Sequence, residues 1–417
     1  MESKKISTKR AKVTQLAASL KHRNFRIYWL GQIAFVLGFQ ILQVTQLWLV
    51  YDLTGSYLKL GLVGASSAIP TILLSLFGGV IADRIDRKRL LIVSQTLISI
   101  SVLITTALIY LDLIRYEHLI AMAVMNGSMA GISAPSQQAL LPYLIDRKDM
   151  MNAVALNSAV WQGTRIIGPG IGGIIVDLVG AGTSFLITSI GFIGFIIALG
   201  LLRIKPINIP ANNEAFFTEM SKGIQFIANN SLFSSLIGMS FFNAFFGFAY
   251  VGIMAGFAQD ILGVGASGLG LLMGASGFGA LTGTLIQGTL GTFKQRGLII
   301  VCGSIMFGLA LILFSLSRFF PLSIILLLFV GAANSTYMIP LMTQLQISVP
   351  DELRGRVMGI FTMTYSMMPL GSLPMGAIAG IMGAPFAVAA GGGMVIMSTL
   401  GIAFRSSTLR KLTASDD

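Results

Sequence analysis

The chain has 417 residues, of which 54% are hydrophobic and only 11% charged, with a net charge of +12 and a mean hydropathy of +0.83. These values exclude an ordinary soluble globular domain. The basic residues are spread along the chain rather than gathered on one polar domain, so they do not read as a nucleic-acid surface, and the single cysteine, Cys302, excludes an intramolecular disulfide and a Cys-based metal cluster.

An all-α membrane protein is therefore expected, with twelve apolar runs that each suffice to cross a hydrocarbon core of about 30 Å. Residues 1–26 form a basic, polar arm without the apolar stretch of a cleavable signal peptide. Span 1, about 27–51, carries Gln32, Gln40, Gln43 and Gln46. At about 100° per residue, Gln32, Phe39, Gln43 and Gln46 share one stripe. Lipid penalises such a stripe, so it should face a cavity or another helix. Interhelical hydrogen bonding is the competing role.

Span 2, with Gly61, Gly64 and Pro70, ends in the densest charge of the chain: Gly78, Gly79, Val80, Ile81, Ala82, Asp83, Arg84, Ile85, Asp86, Arg87, Lys88, Arg89. Between two apolar runs this can only be an aqueous turn. Span 3 follows to about residue 111, then Asp112, Arg115, Glu117 and His118 make a small loop. Span 4 holds Asn126, Gly127, Gly131, Pro135, Gln137 and Gln138. Span 5, about 153–176, contains Arg165 and the run Gly168, Pro169, Gly170, Ile171, Gly172, Gly173. The proline removes a backbone hydrogen bond and the glycines allow close packing and bending. A cation at the depth of Arg165 costs about 3 kcal/mol on insertion scales. It should face the protein interior, as a hydrogen-bond hub or as a substrate contact. Span 6 ends near residue 202.

Residues 204–230 are the one long polar interval. Pro206 and Pro210 interrupt the pattern, and Phe216, Met220, Ile224 and Ile227 then recur at helical spacing, as on an amphipathic surface helix. The expected organisation is a six-helix half over 27–203, this linker, a second six-helix half over 231–404 and a tail over 405–417. Span 7 is rich in Phe and includes Asn243. Span 10 carries Asn334, Tyr337 and Gln344, and span 11 carries Met363, Tyr365, Met367, Met368 and Met375. If successive spans alternate, every Lys and Arg except Lys59, Arg115, Arg318 and Arg165 falls on the side of the N-terminus. The positive-inside rule then places both termini in the cytoplasm.

Gly79, Asp83, Arg84, Arg87 and Lys88 resemble the loop 2–3 signature of the major facilitator superfamily, with Asp86 where a bacterial subfamily of macrolide and enterobactin exporters commonly departs from it. Gly168, Pro169, Gly172 and Gly173 with the preceding Arg165 are similar to the export-associated motif of span 5, although Thr164 stands in place of a glycine. A faint duplication agrees: Asp146 to Asn152 recurs as Pro350 to Arg356, and Gly172 corresponds to Gly376. The resemblance implies two pseudo-symmetric halves, alternating access and a multi-pass position in the cytoplasmic membrane. It also implies a switch loop at Gly79, Asp83, Arg84, Asp86, Arg87 and Lys88, and export of drug-, macrolide- or siderophore-like molecules by proton antiport.

A cavity built from Gln32, Phe39, Gln43, Gln46, Asn126, Asn243, Asn334 and Tyr337 is expected to hold the substrate. All sixteen acids lie in loops, tails or span ends, so Asp52, Asp83 and Asp112 are the candidate proton carriers. A lipid-like substrate such as a lysophospholipid is the alternative. No enzyme is expected, since the histidines, His22 and His118, lie in aqueous segments and no intramembrane acid pair exists. No metal or cofactor is expected beyond the proton gradient. With no phosphate loop in the sequence a nucleotide is not an expected partner, and the dispersed basic residues give no expectation of a nucleic acid.

Overall fold

The computed structural model describes residues 19–204, 216–290, 295–410 and 412; the side chains of 76–84, 216–220, 290 and 407 lie outside that description, and with them those of Gly79, Asp83 and Arg84. Thirteen helical elements position the site. In chain order they are α1 (Arg23–Thr54), α2 (Tyr57–Arg84), α3 (Arg87–Tyr110), α4 (Tyr116–Leu140), α5 (Met150–Leu201) and α6 (Phe216–Asn229). The irregular segment α7 (Ser231–Ile261) follows. Then come α8 (Ala266–Leu290), α9 (Arg296–Leu316), α10 (Phe320–Ser348), α11 (Asp351–Ser366), α12 (Met368–Met382) and α13 (Ala384–Arg405).

Among the described residues ten helices are long and apolar enough to cross a membrane. The expected twelve crossings follow from two features. Gly180 (φ 84, ψ 165) breaks α5 into two antiparallel arms, a backbone state that only glycine adopts cheaply. In the second place, α11 and α12 run on through Met367 as one bent crossing. Exposed apolar side chains such as Leu73, Ile104, Ile190, Leu285, Ile325 and Phe404 clothe the outside. A soluble monomer would not leave so much of this surface bare.

Helix ends follow local chemistry. Gly55 closes α1 in the left-handed region, its N–H reaching the Tyr51 carbonyl at 2.7 Å. Asp86 caps α3 by accepting from the Arg89 N–H at 2.8 Å, a contact that typically contributes about 1 kcal/mol. Its neighbours in the charged turn serve other helix ends. Lys88 Nζ donates to the Gly200 and Leu202 carbonyls at 3.0 and 2.7 Å, and Arg87 donates to the Ala139 carbonyl at 3.3 Å while lying over the Tyr143 ring. Cations at helix C-termini are favoured by unsatisfied carbonyls and the macrodipole.

The first set of crossings, α1 to α5, meets the second, α7 to α13, along two seams of small residues. In one, Gly270, Gly274 and Gly277 of α8 press on the backbone of Pro169, Ile166 and Arg165, and Gly173 presses on Ala266. In the other, Gly61 and Gly64 of α2 meet Ser372 and Pro369, while Gly376 meets Tyr57. Helices in lipid associate through such close packing because apolar burial offers little there.

The amphipathic pattern of 216–229 forms a helix, α6, which packs on the second set of crossings through Gly223 and Ile227. Ile227 is buried and Gly223 abuts Arg356 and Ile360 of α11, whereas Ile224 is 53% exposed. The absence of a side chain at Gly223 is what lets that face approach α11. Phe216 and Met220 lie outside the described side chains.

Candidate functional site

Three adjoining cavities occupy the middle of the molecule. The first, about 530 Å³, lies within the first set and is lined by Tyr28, Gln32, Phe35, Phe39, Gln95, Asn126, Gln137, Gln138, Asn157 and Trp161. A second, about 410 Å³, lies between the sets and is lined by Gln40, Gln43, Gln162, Arg165, Tyr250, Met254, Met273, Ser276, Asn334, Met338 and Tyr365. The third, about 190 Å³, joins them and shares Phe39 and Asn126 with the first and Gln43, Phe248, Val251 and Met368 with the second.

The Gln stripe of α1 is thus divided. Gln32 faces the first cavity, Gln43 the second and third, and Gln46 the third. Gln32 is almost fully buried, and neither of its amide atoms has a protein partner. Gln95 Oε1, Gln137 Nε2 and Asn157 Oδ1 around the same cavity are also buried and unpartnered. Buried amides almost always have partners. Four such amides are thus gathered around one cavity.

Irregular backbone borders the central space. Span α7 changes to π-helix at Asn243–Gly247 and to 3-10 helix at Phe248–Ile253, and the crossing α11–α12 bends at Met367 to Pro369. Interrupted helices are tolerated in membranes where they line protein or water-filled space.

Placement of the remaining candidate residues is uneven. Asn334 lines the second cavity and donates to the Tyr337 hydroxyl at 3.2 Å, so Tyr337, itself buried, takes part only through that bond. Asn243 lines none of the three cavities. It is fully buried in a knot with the Met239 carbonyl at 2.8 Å and Ser304 Oγ at 3.0 Å, and Ser304 in turn meets Thr399 at 2.7 Å. Those bonds join α7, α9 and α13, which is an interhelical role. Arg165 reaches the second cavity, Pro169 lines it too, and Gly168 and Gly172 seat α5 against Gln40 and Ile41 of α1.

At the end away from the chain termini, four hydrogen bonds cross between the sets. Tyr51 and Tyr57 both donate to Asp260 Oδ2, the latter at 2.9 Å. Asp177 accepts from the N–H groups of Ala266 and Ser267 at 3.0 and 2.8 Å, capping α8 from the opposite set. At the terminal end, the described contacts of His22, Lys88 and Arg354 stay within their own sets. There His22 Nε2 and Asp149 Oδ2 lie 2.9 Å apart, with Asp146 close by.

Asp52 and Asp112 are exposed and meet neither a cavity nor the other set, and Asp83 lies outside the described side chains. Asp260 and Asp177 were not among the candidate residues singled out from the sequence, which carries no signal for their partners because every one of those contacts spans more than 80 residues.

Residues 14–417 match the family described as transmembrane secretion effector. The chain is 32% identical to the staphyloferrin A transporter of Staphylococcus aureus over 43% of this chain and 46% of that protein, so this match spans less than half of either. It is 24% identical to the multidrug efflux pump Tap of Mycolicibacterium fortuitum over 80% of this chain and 83% of that one. The fold superposes on a POT family transporter with a TM-score of 0.74 at 12% identity, covering 93% and 96% of the two chains.

Proposed function

Because the chain belongs to the transmembrane secretion effector family of the major facilitator superfamily, whose members are multi-pass transporters of small molecules, we propose that it exports amphipathic drug-, macrolide- or siderophore-like molecules by alternating access, driven by the proton gradient. The observation that carries this reading is the cavity lined from both sets beneath the end latched by Asp260 and Asp177. Two halves, α1–α5 and α7–α13 with α6 as linker, rock about the glycine seams. The bias of Lys and Arg toward the terminal end supports a cytoplasmic position for both termini, in the cytoplasmic membrane. The latched end is then external, and the cavity loads from inside.

Asp260 and Asp177 are the carboxylates best placed to couple a proton to this motion. Each accepts hydrogen bonds from the other set, and a neutral carboxyl is the weaker acceptor. Proton uptake from outside would loosen the latch and favour release. Asp52 and Asp112 share the external surface without described partners, so their part in coupling is secondary. The turn holding Asp86, Arg87 and Lys88 fixes helix ends of the first half, which makes it a frame for the switch that the motif assigns to Gly79, Asp83 and Arg84.

Efflux of a panel of fluorescent dyes from energised cells, with and without a protonophore, tests the proposal. Gradient-dependent extrusion is the expected result. Gradient-independent efflux would remove proton coupling, and net accumulation would reverse the direction.

A further inference from the structure

The cavities differ in charge as well as in size. Among the described residues Arg165 is the only formally charged side chain lining any of the three, and no carboxylate, lysine or histidine accompanies it. No hydrogen bond or ion pair ties its guanidinium to another described residue. Its stem is held from behind: a Cβ at Gly277 of α8 would lie 3.0 Å from the Arg165 carbonyl oxygen and 3.5 Å from its Cγ. The seam that joins the two sets therefore also seats this side chain at the cavity wall.

Neutral hydrogen-bonding groups surround the same space. Gln43, Gln162, Asn334 and the Tyr365 hydroxyl line it, as does Tyr250, whose hydroxyl lies 3.3 Å from Ser276 Oγ. Met254, Met273, Met338 and Met368 supply adaptable apolar wall. The Arg165 side chain is solvent-accessible at the cavity wall with no carboxylate among the described lining residues, and a cation so placed repels cations and attracts anions. A guanidinium beside polar donors is suited to two-point contact with a planar oxyanion.

We infer that the cavity between the sets selects amphipathic oxyanions, carboxylates or phosphates carried on an apolar body, with Arg165 as the counter-charge. The inference rests on the proposed use of this cavity as the substrate site and narrows its substrate class. It also sets this chain apart from an exporter of lipophilic cations, which would require an acidic group where none is present among the described residues.

The test uses the purified full-length protein in zwitterionic nanodiscs and three probes of one shape: 1-pyrenebutyrate, 1-pyrenebutanol and pyrenebutyltrimethylammonium. Wild type should bind the carboxylate about tenfold or more tightly than the alcohol, and the cation weakest. Arg165→Gln should bring the carboxylate to the level of the alcohol and leave the alcohol unchanged, with Arg165→Lys in between. Equal binding of carboxylate and alcohol by wild type overturns the inference without need of any variant, as does a preference that survives Arg165→Gln. Competition by citrate and by lysophosphatidate then separates a soluble carboxylate from a lipid phosphate; displacement by either supports the oxyanion site, and displacement by neither overturns it. Extrusion of neutral, cationic and carboxylate dyes at equal rates by wild type would leave the exporter standing and remove the anion site. Selective carboxylate binding without extrusion of any probe would do the reverse.

Discussion

Tyr57, at the start of α2, donates a 2.9 Å hydrogen bond to Asp260, at the end of α7, and Tyr51 of α1 donates to the same carboxylate oxygen. Three helices from two sets of crossings are thus tied at one atom, with the two phenol rings 5.2 Å apart. Hydrogen bonds to a charged group contribute up to about 1.5–3 kcal/mol each, less at an exposed carboxylate such as Asp260, and two together suffice to bias an equilibrium between closed and open states.

Asp260→Asn is expected to shift that equilibrium toward opening at this end by about tenfold or more, since it removes the charge while keeping the shape. Spin labels at Leu53 and Leu262 in a Cys302→Ser background report the change as a longer distance between the sets. An unaltered distance distribution would show that the glycine seams alone hold this end shut.

The glycines of the span 5 motif are expected to divide by what stands opposite them. Gly173→Ala places a methyl against the Ala266 carbonyl, whereas Gly170→Ala meets nothing within 4 Å. Overpacking costs about 1–3 kcal/mol, so Gly173→Ala should lower thermal stability by several degrees and slow transport while Gly170→Ala leaves both near wild type. Equal effects at the two positions would mean that bending, not packing, is what the motif provides.

Gln32→Leu discriminates between the two roles open to the amides of the first cavity. Replacing a buried amide that has no protein partner by an apolar side chain should leave thermal stability unchanged or raised. Transport of substrates rich in hydroxyl or amide groups should fall. A large loss of stability with normal transport would identify Gln32 as interhelical support.

Asn243→Leu should do the opposite. It strips Ser304 and the Met239 carbonyl of a buried partner, at about 1–3 kcal/mol, so folded yield and melting temperature should drop. The order of preference among exported dyes should not change, because the side chain reaches none of the cavities. A changed preference in well-folded protein would place Asn243 in the substrate path.

How much of this was legible in the chain depends on the range of the interaction. Hydropathy and the break at residues 204–230 located the crossings, and the Gln stripe announced a polar wall on α1, because amphipathic periodicity is written within one helix. Asp86 as a cap and Gly55 as a terminator are likewise local, each acting within four residues. The packing of Gly223 of α6 was not legible, since it depends on Arg356 and Ile360 of a distant helix.

The sequence by itself determined that this is a twelve-crossing all-α membrane protein and which residues carry its few polar groups, because water and lipid sort side chains before any tertiary contact forms. Only the tertiary structure decided what those groups do. It gave Asn243 to a packing knot, set Arg165 at the wall of the cavity between the sets, and brought Tyr51, Tyr57 and Asp260 to one point. Hydropathy specifies depth in the membrane but says nothing about rotation or partner, and both are set by where two backbones can come close enough to touch.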